Sequence, residues 1–252
     1  MYTSIIRPIL FKLPPETAHW FTFQALQFYQ SIPFASSILE KIISPIEKPV
    51  HLMGLNFRNS VGVAAGLDKN AALIRSWKSL GFGFAEIGTV TPRAQTGNPK
   101  PRLFRIPEDQ AFINRMGFNN EGIDAIIQRL RNRPKDFIVG GNIGKNTDTS
   151  NTHAAEDYTQ VFNSLYPFVD YLVINVSCPN INNLNLLQER KQLELLLSTL
   201  IAHRNKKSVQ KPVVLKISPD LNDHQLDDTL QLVNDFNIDG IIATNTSKQR
   251  PP

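Results

Sequence analysis

The sequence predicts an α/β fold in which βα units repeat along a parallel sheet, preceded by a helical segment. From residue 50 onward, short apolar runs rich in β-branched residues alternate with segments of helical periodicity. This alternation is typical of parallel strands joined by crossover helices. Before residue 49, apolar residues recur only at helical spacing, so the chain is predicted to divide into domains 1–48 and 49–252.

The first domain, residues 1–48, is predicted to form short amphipathic helices. The apolar load of residues 17–30 is wider than one core-facing stripe. Such helices either cap the main domain or lie on a membrane surface, and the sequence leaves both readings open. The residues that carry the pattern are Ile5, Ile6, Ile9, Leu10, Leu13, Trp20, Phe21, Phe23, Leu26, Phe28, Tyr29, Ile38, Leu39, Ile42 and Ile43.

Six strands are predicted in the second domain, from their β-rich apolar runs. Their ranges are 61–65, 84–87, 137–141, 171–176, 213–217 and 240–243. Helical faces between them are carried by Leu73 and Trp77, by Tyr158, Val161, Phe162 and Leu165, and by Leu226, Leu230 and Val233. Gly81 is predicted to stop the first of these helices. The long, Pro-rich segment 89–122 is predicted to be functional or an excursion from the sheet.

Composition excludes several classes of protein. A chain of 252 residues that is 41% hydrophobic buries a sizeable core and is not disordered. The net charge of +5 favours anionic partners, but no basic cluster stands out, so nucleic acid is not expected as a partner. Residues 129–133 are predicted to lie on a solvated helix face. A single cysteine cannot form an internal disulfide, which is typical of a reducing cytoplasm, and no apolar run is long enough to span a membrane.

Several catalytic classes are also disfavoured. The lone cysteine and the scattered histidines do not have the spacing of a metal site. No glycine-rich dinucleotide motif is present, since the Gly81-Phe82-Gly83 run is followed by a strand rather than a helix. No strand-to-helix elbow is available for a catalytic serine.

Polar clusters follow nearly every predicted strand, and this pattern indicates an enzyme. In a barrel of parallel strands, the carboxyl ends converge on one mouth, where the active site lies. Any one cluster could serve only as a turn or a helix cap. Lys69, Asn175 and Lys216 together are harder to explain in that way, because each follows or ends an apolar strand.

The residue types at this mouth suit a planar, anionic, amide-rich ligand. The ammonium groups of Lys69 and Lys216 should be partly desolvated and therefore require an anionic partner. Arg115 adds a further cation. Asparagine side chains pair with amide and imide edges because each offers a donor and an acceptor, and those predicted to do so are Asn114, Asn175, Asn180 and Asn245. Asn119, Asn182 and Asn183 are interpreted as turn residues.

Cys178 is the candidate catalytic base. It lies in a strand-exit loop before Pro179, where a thiol is accessible. Cysteines of this kind are often inert core residues, but polar neighbours favour reactivity here. A thiol, whose reference pKa is about 8.5, needs only modest help to accept a proton, whereas a serine hydroxyl needs strong activation.

Taken as a set, the loops resemble those of a known family. They are Ala65-Gly-Leu-Asp-Lys69, Glu86-Ile-Gly-Thr-Val-Thr-Pro-Arg93, Pro101-Arg-Leu-Phe-Arg105, Ile113-Asn-Arg-Met-Gly-Phe-Asn-Asn120, Asn142-Ile-Gly-Lys-Asn146, Asn175-Val-Ser-Cys-Pro-Asn180 and Ala243-Thr-Asn-Thr246. In this order they resemble dihydroorotate dehydrogenase of the quinone-using, membrane-associated kind, over essentially the whole chain.

The resemblance implies a TIM-type (β/α)8 barrel, present here as about six of its eight βα units, with a small N-terminal helical domain. It implies FMN as cofactor, dihydroorotate and orotate as substrate and product, and ubiquinone as the final electron acceptor. The N-terminal helices would form the quinone entrance at the cytoplasmic face of the cell membrane, with His19 and Arg102 among its lining residues.

The resemblance also implies site residues by matching position. The residues expected to contact FMN are Ala65, Gly66, Leu67, Asp68, Lys69, Thr89, Asn142, Asn175, Lys216 and Thr244. Those expected to hold the substrate are Lys69, Asn114, Arg115, Met116, Gly117, Phe118, Asn175, Asn180, Asn245 and Thr246. Cys178 would remove the C5 proton while the C6 hydrogen leaves as hydride.

The sequence departs from the family pattern in its active-site loop and at its end. Cys178 stands where the quinone-using kind has serine, and residues 181–185 replace a Thr-Pro-Gly-Leu-Arg segment that forms the lid. A cysteine base that needs less proton relay would compensate, or the site has decayed. Two strands of the barrel are expected to be missing, together with the phosphate loops that follow them. The alternatives are an inactive, truncated or frameshifted remnant of this enzyme and a related flavin barrel that reduces RNA uridines.

Overall fold

The computed structural model describes residues 2–43, 48–180 and 184–249. Its strands are β1 (Val50–Leu52), β2 (Leu55–Phe57), β3 (Gly62–Val63), β4 (Phe84–Val90), β5 (Leu103–Ile106), β6 (Ala111–Asn114), β7 (Ile138–Ile143), β8 (Tyr171–Asn175), β9 (Val213–Lys216) and β10 (Gly240–Ile242). Its α-helices are α1 (Arg7–Phe11), α2 (Pro15–Ser31), α3 (Ala35–Ile43), α4 (Ile74–Ser79), α5 (Gly122–Leu130), α6 (Ala154–Leu165), α7 (Arg190–Asn205) and α8 (Asp223–Asp235).

The central sheet has six parallel strands in the order β3, β4, β7, β8, β9, β10. Consecutive strands of this sheet are joined by crossovers that contain helices, as parallel pairing requires. All six predicted strands are present, and the predicted α/β barrel fold with about six βα units is confirmed. The cross-strand register pairs Asn175 with Lys216, and Lys216 with Ile242, so the carboxyl ends of β8, β9 and β10 lie side by side.

Apolar side chains cover both faces of the sheet. On the outer face, α4 to α8 bury residues at helical spacing. The fully enclosed ones include Ile126, Leu130, Tyr158, Phe162 and Leu165, and Leu73, directly before α4, is enclosed as well. On the inner face, Tyr171, Val173 and Val214 form a second cluster with Phe57 of β2. The ring of Phe57 lies 5.2 Å from that of Phe84, so the β1–β2 hairpin closes the amino-terminal end of the sheet. The opposite end is left for the site.

Segment 89–122 leaves the sheet as an antiparallel hairpin of β5 and β6, which confirms the predicted excursion. The hairpin packs on the N-terminal helices. Arg102 forms a 2.7 Å ion pair with Glu16 at the start of α2, and Arg105 Nη1 donates to Leu13 O over 2.6 Å. These two arginines therefore fasten the first helices to the rest of the molecule.

Two expectations about helix surfaces were wrong. Residues 129–133 do not form one solvated face, because α5 ends at Leu130 and Arg133 turns inward. Its guanidinium is buried and pairs with Asp170 at 2.8 Å. On α8, Leu230 is exposed, whereas the predicted Leu226 and Val233 do pack against the core, together with the buried Thr229 and Leu232.

The N-terminal helices present apolar side chains both inward and outward. On α2, Phe23 packs against the core and Trp77 lies beside it, with their ring centroids 6.1 Å apart. Trp20, Phe21 and Phe28 of the same helix are half or more exposed. Within the described part of the chain, no helix combines the length and the apolarity needed to cross a bilayer. The domain boundary near residue 48 remains a prediction, and residues 44–47 lie outside the described ranges.

Candidate active site

A cavity of about 630 Å³ opens at the carboxyl ends of the strands, between the sheet, α2 and the β5–β6 hairpin. Parallel barrels hold their chemistry at this end. Most of the predicted site residues lie on its wall, namely Ala65, Gly66, Leu67, Asp68, Lys69, Thr89, Asn114, Met116, Gly117, Phe118, Asn175, Cys178, Asn180, Lys216, Asn245 and Thr246. Residues up to 181 positions apart in the chain, from Ala65 to Thr246, are thus brought to one surface.

The floor of the cavity is a buried hydrogen-bond network that joins three strands. Asn175 Nδ2 donates to Thr89 Oγ1 over 2.8 Å, and Thr89 Oγ1 donates to Asn142 Oδ1 over 2.5 Å. Asn142 Nδ2 in turn donates to Glu86 Oε1 over 2.8 Å. Since every one of these residues is buried, the network fixes the amide orientations before any ligand arrives.

The other face of Asn175 is held by the loop that follows β8 and by the end of β10. Its Oδ1 accepts from Ser177 Oγ at 3.2 Å and from Asn245 Nδ2 at 3.3 Å. Tyr158 of α6 donates its hydroxyl proton to the backbone carbonyl of Asn175 over 2.7 Å. A single side chain therefore ties together the ends of β4, β7, β8 and β10.

Lys69 brings a partly desolvated cation to the cavity. Burial lowers the pKa of Lys69 to about 8; the nearby charge of Cys178 opposes this shift, while that of Arg102 adds to it. The ammonium group donates a hydrogen bond to Asn119 Oδ1. A neutral amide does not neutralise a buried cation, so the site favours an anion beside Lys69.

Lys216 lies at the end of β9, next to Asn175 across the sheet, and its side chain is largely buried. Its electrostatic partner is Glu86, which is 5% exposed on β4. Burial raises the pKa of Glu86, while the charge of Lys216 and the hydrogen bond from Asn142 oppose that shift. The cavity floor thus contains a buried cation whose countercharge lies below the amide network.

Cys178 is buried and lies on the cavity wall, on the same loop as Asn180. Asn180 Nδ2 donates to Asn114 Oδ1 over 2.9 Å, which connects this loop to the β6 end. The thiol therefore faces the same cavity as Lys69 and Lys216. Of the lid predicted at 181–185, residues 181–183 lie outside the described ranges.

Four predicted site residues have side chains that point elsewhere or lie below the wall. The Asp68 carboxylate accepts from Ala72 N, Leu73 N and Trp77 Nε1 at 2.7 to 3.0 Å, and so it braces the start of α4. Asn142 lies wholly beneath the cavity. The other two are Thr244, which is exposed and donates to Asn245 O, and Arg115, which lines a neighbouring cavity of about 370 Å³.

The two residues predicted at the quinone entrance differ in position. His19 lines the main cavity, and its Nε2 lies 3.2 Å from Leu67 O. Burial lowers the pKa of His19, although its contact with the Leu67 carbonyl opposes this. Arg102 is buried and does not line the main cavity. It forms an ion pair with Glu16, and its Nη1 donates to Thr96 O over 2.6 Å, so it stabilises the residues behind the cavity wall.

Sequence reasoning missed Asn119 and Glu86 as parts of the site. Asn119 was interpreted as a turn residue, yet it is the hydrogen-bond acceptor for Lys69. Glu86 had a usable signal, because it is a charged residue inside the apolar run of β4. No group of three or more potential metal ligands occurs among the residues that the structure describes.

Comparisons with known proteins agree with this architecture. The family model for dihydroorotate dehydrogenase matches residues 49–252. The dihydroorotate dehydrogenase (quinone) of Christiangramia forsetii is 51% identical over 99% of this chain and 74% of its own length. That of Bordetella parapertussis is 47% identical over 98% and 72%, respectively.

Solved structures give the same result. A crystal structure of DHODH from Eimeria tenella in complex with ferulenol superposes with a TM-score of 0.76 at 34% identity, and covers 87% of this chain and 68% of that one. A ligand-free structure of the same protein also has a TM-score of 0.76. The fold, the arrangement of the loops and the sequence identity together identify the chain as a member of the dihydroorotate dehydrogenase family.

Proposed function

We propose that the chain oxidises dihydroorotate to orotate in the main cavity, using FMN as cofactor and ubiquinone as final electron acceptor, in pyrimidine biosynthesis. One observation carries the proposal: Lys69, Asn175, Cys178 and Lys216 meet on one wall at the carboxyl ends of the strands. The names of the relatives favour this substrate over the uridines of RNA.

Substrate recognition would depend first on an ion pair between the substrate and the protein. The carboxylate of dihydroorotate would pair with the ammonium group of Lys69, which has no carboxylate in hydrogen-bond contact among the described residues. The ring amides would meet the amide side chains of Asn114, Asn180 and Asn245 on the same wall. Two of these, Asn114 and Asn180, are already held to one another at 2.9 Å, so little reorganisation is needed.

Cys178 would act as general base. Removal of the C5 proton transfers it to the thiolate sulfur while the C6 hydrogen leaves with its electron pair, and a C5–C6 double bond forms. A thiol has a reference pKa near 8.5, which suits proton transfer near neutral pH. The positive charge of Lys69 nearby would favour the thiolate form.

The cavity residues fit the ring of FMN. Gly66 has a φ of +102°, and a Cβ added there would meet no atom within 4 Å, so its backbone leaves open space for a flat ring. The ammonium group of Lys216 would stabilise negative charge on that ring, and Thr89 and Asn175 would contact the edge of the ring. Bound FMN supplies the acceptor for the hydride from C6.

The N-terminal helices would form the route for quinone and the contact with the membrane. Trp20 and His19 of α2 both line the main cavity, and Trp20 is also 55% exposed. An apolar carrier could therefore enter beside α2. We infer peripheral attachment at the cytoplasmic face of the membrane, with the exposed aromatic residues of α2 at the lipid interface.

The test is anaerobic addition of dihydroorotate to the purified chain loaded with FMN. Bleaching of the flavin absorbance, and its return on addition of a ubiquinone analogue, are the expected results. A Lys206→Gln variant, changed at the exposed end of α7, is the matched control for Lys69→Gln. If the loaded chain is not bleached by dihydroorotate, the proposed function is wrong.

A further inference from the structure

A second, smaller cavity of about 270 Å³ lies between α1 and the β5–β6 hairpin, away from the main site. Two arginines from different elements meet there around one ring. The guanidinium carbon of Arg7 lies 4.9 Å from the centroid of the Phe11 ring, and that of Arg105 lies 4.6 Å from it. We call this the two-arginine cavity; its lining is completed by Ile106, Pro107, Gln110, Ala111 and Phe112.

The donors of Arg105 are only partly used. Its Nη1 donates to Leu13 O over 2.6 Å and its Nη2 donates to Leu10 O over 3.3 Å, which holds the guanidinium at the end of α1. Its Nε is buried and has no hydrogen-bond partner among the described residues. Because Nε is buried, the Arg105 donors that remain for a ligand are the second hydrogens of Nη1 and Nη2.

The positive charge of the cavity is not balanced locally. No aspartate or glutamate lines it, and within the described ranges neither Arg7 nor Arg105 forms an ion pair. The nearest acidic residues along the chain are Glu108 and Asp109, which are exposed in the turn between β5 and β6 and are not part of the lining. A phosphate group would supply the missing charge and would match the planar fork of arginine.

Exposed apolar side chains lie beside Arg7 in the sequence and in the cavity lining. Ile5, Ile6 and Ile9 are exposed on the N-terminal helical turns, and Phe112 of the lining is 61% exposed. Cations beside an exposed apolar strip are what an anionic lipid surface attracts, because its acyl region covers the strip while its phosphates meet the cations. A free phosphate would leave the apolar strip in water.

We propose that the two-arginine cavity binds the phosphate of an anionic phospholipid headgroup, with the lipid chains lying along Ile5, Ile6, Ile9 and Phe112. The inference rests on the proposed membrane contact and goes beyond it, because it assigns one lipid class to two named side chains. Arg7 is the exposed contact, and Arg105 is the one held in place by the carbonyls of Leu10 and Leu13.

The experiment compares sedimentation of the full chain with vesicles of phosphatidylcholine alone and with vesicles that also contain phosphatidylglycerol. Arg7→Gln should lower the partition coefficient on phosphatidylglycerol vesicles about tenfold. Lys12→Gln is the matched control, because it removes one charge just beyond α1, from an exposed residue outside the lining. It should lower partitioning less than about threefold. Equal losses for both variants would mean general attraction to the surface and would overturn the proposal.

Two further arms complete the test. Arg7→Lys keeps the charge but loses the planar guanidinium. Its partition coefficient should lie between those of Arg7→Gln and the unmodified chain; a value equal to that of the unmodified chain would argue against headgroup recognition. Inorganic phosphate at millimolar concentration should not release the chain from vesicles, whereas release specific to the unmodified chain would identify free phosphate as the occupant. Since no substrate is present, these results are independent of whether dihydroorotate is oxidised.

Discussion

Asn175 Nδ2 donates to Thr89 Oγ1 over 2.8 Å, and this bond joins the carboxyl ends of β8 and β4 beneath the main cavity. Thr89 Oγ1 in turn donates to Asn142 Oδ1, and Asn142 Nδ2 donates to Glu86 Oε1. The amide of Asn175 is therefore fixed by residues on neighbouring strands rather than by its own loop alone.

Replacing Asn175 should weaken ligand binding more than it weakens the fold. Asn175 Nδ2 donates to Asn142 Oδ1 over 3.2 Å as well as to Thr89, and Asn175→Ala removes both bonds. We expect orotate affinity to fall at least tenfold, with about 1–3 kcal/mol lost from the free energy of unfolding. Calorimetric titration and urea unfolding measure the two quantities. Asn163→Ala, at a part-buried amide on the far side of α6, should leave affinity unchanged. An unaltered orotate affinity in Asn175→Ala would contradict this role.

The affinity for orotate should depend on pH through Lys69. Because burial lowers the pKa of Lys69 to about 8, its ammonium form, which pairs with the ligand carboxylate, is lost as the pH rises above that value. Affinity should be constant below pH about 7 and fall from about 8 upward, by at most tenfold per pH unit. Titrations at successive pH values measure this.

Two variants assign the pH effect. Lys69→Gln should bind more weakly and show no step in this range, whereas Cys178→Ser should retain the step of the unmodified chain. A step that disappears in Cys178→Ser and persists in Lys69→Gln would assign the titration to the thiol instead.

Cys178→Ser should slow the reduction of bound flavin and move its pH dependence upward, because a hydroxyl accepts a proton less readily than a thiolate does. A rate loss of about 10- to 100-fold near neutral pH is expected in stopped-flow measurements of a single turnover. Orotate affinity serves as the control and should change little. If the rate and its pH profile are the same in both proteins, the thiol is not the base.

Asp68 should matter for stability rather than for chemistry. Its buried carboxylate accepts from Ala72 N, Leu73 N and the Trp77 indole, so Asp68→Ala removes the acceptor from two buried donors and one part-buried donor. The free energy of unfolding should fall by about 2–4 kcal/mol, as measured by urea denaturation. Asp124→Ala, at an exposed acidic residue in the first turn of α5, should cost less than about 1 kcal/mol. Comparable losses would show that the bracing bonds contribute little.

The strands and the position of the site were predictable because both follow from local pattern. Apolar runs such as β8 and β9 fix where strands lie, and the polar residues after them must then meet at one end. The direction of a side chain is not a local property. The backbone around Asp68 lines the cavity, as expected from its place in the chain, while its carboxylate turns toward α4.

Long-range partners explain the other differences. Asn119 has the composition of a turn residue, and only the folded chain brings it to Lys69, 50 positions away. Arg133 belongs to a basic run in the sequence. Because α5 ends before it, its side chain points inward and pairs with Asp170. In both cases, the two partners are far apart in the sequence, so a short stretch of sequence does not contain both of them.

Helix α2 alone separates the main cavity from the outer surface of the protein. His19 and Phe23 line the main cavity, while Phe21 and Phe28 of the same helix are exposed on its outer surface. An α-helix with its side chains is about 10–12 Å across. In the proposed arrangement at the membrane, about one helix width would separate a carrier in the lipid from the main cavity, so electrons would pass to it without the carrier entering water.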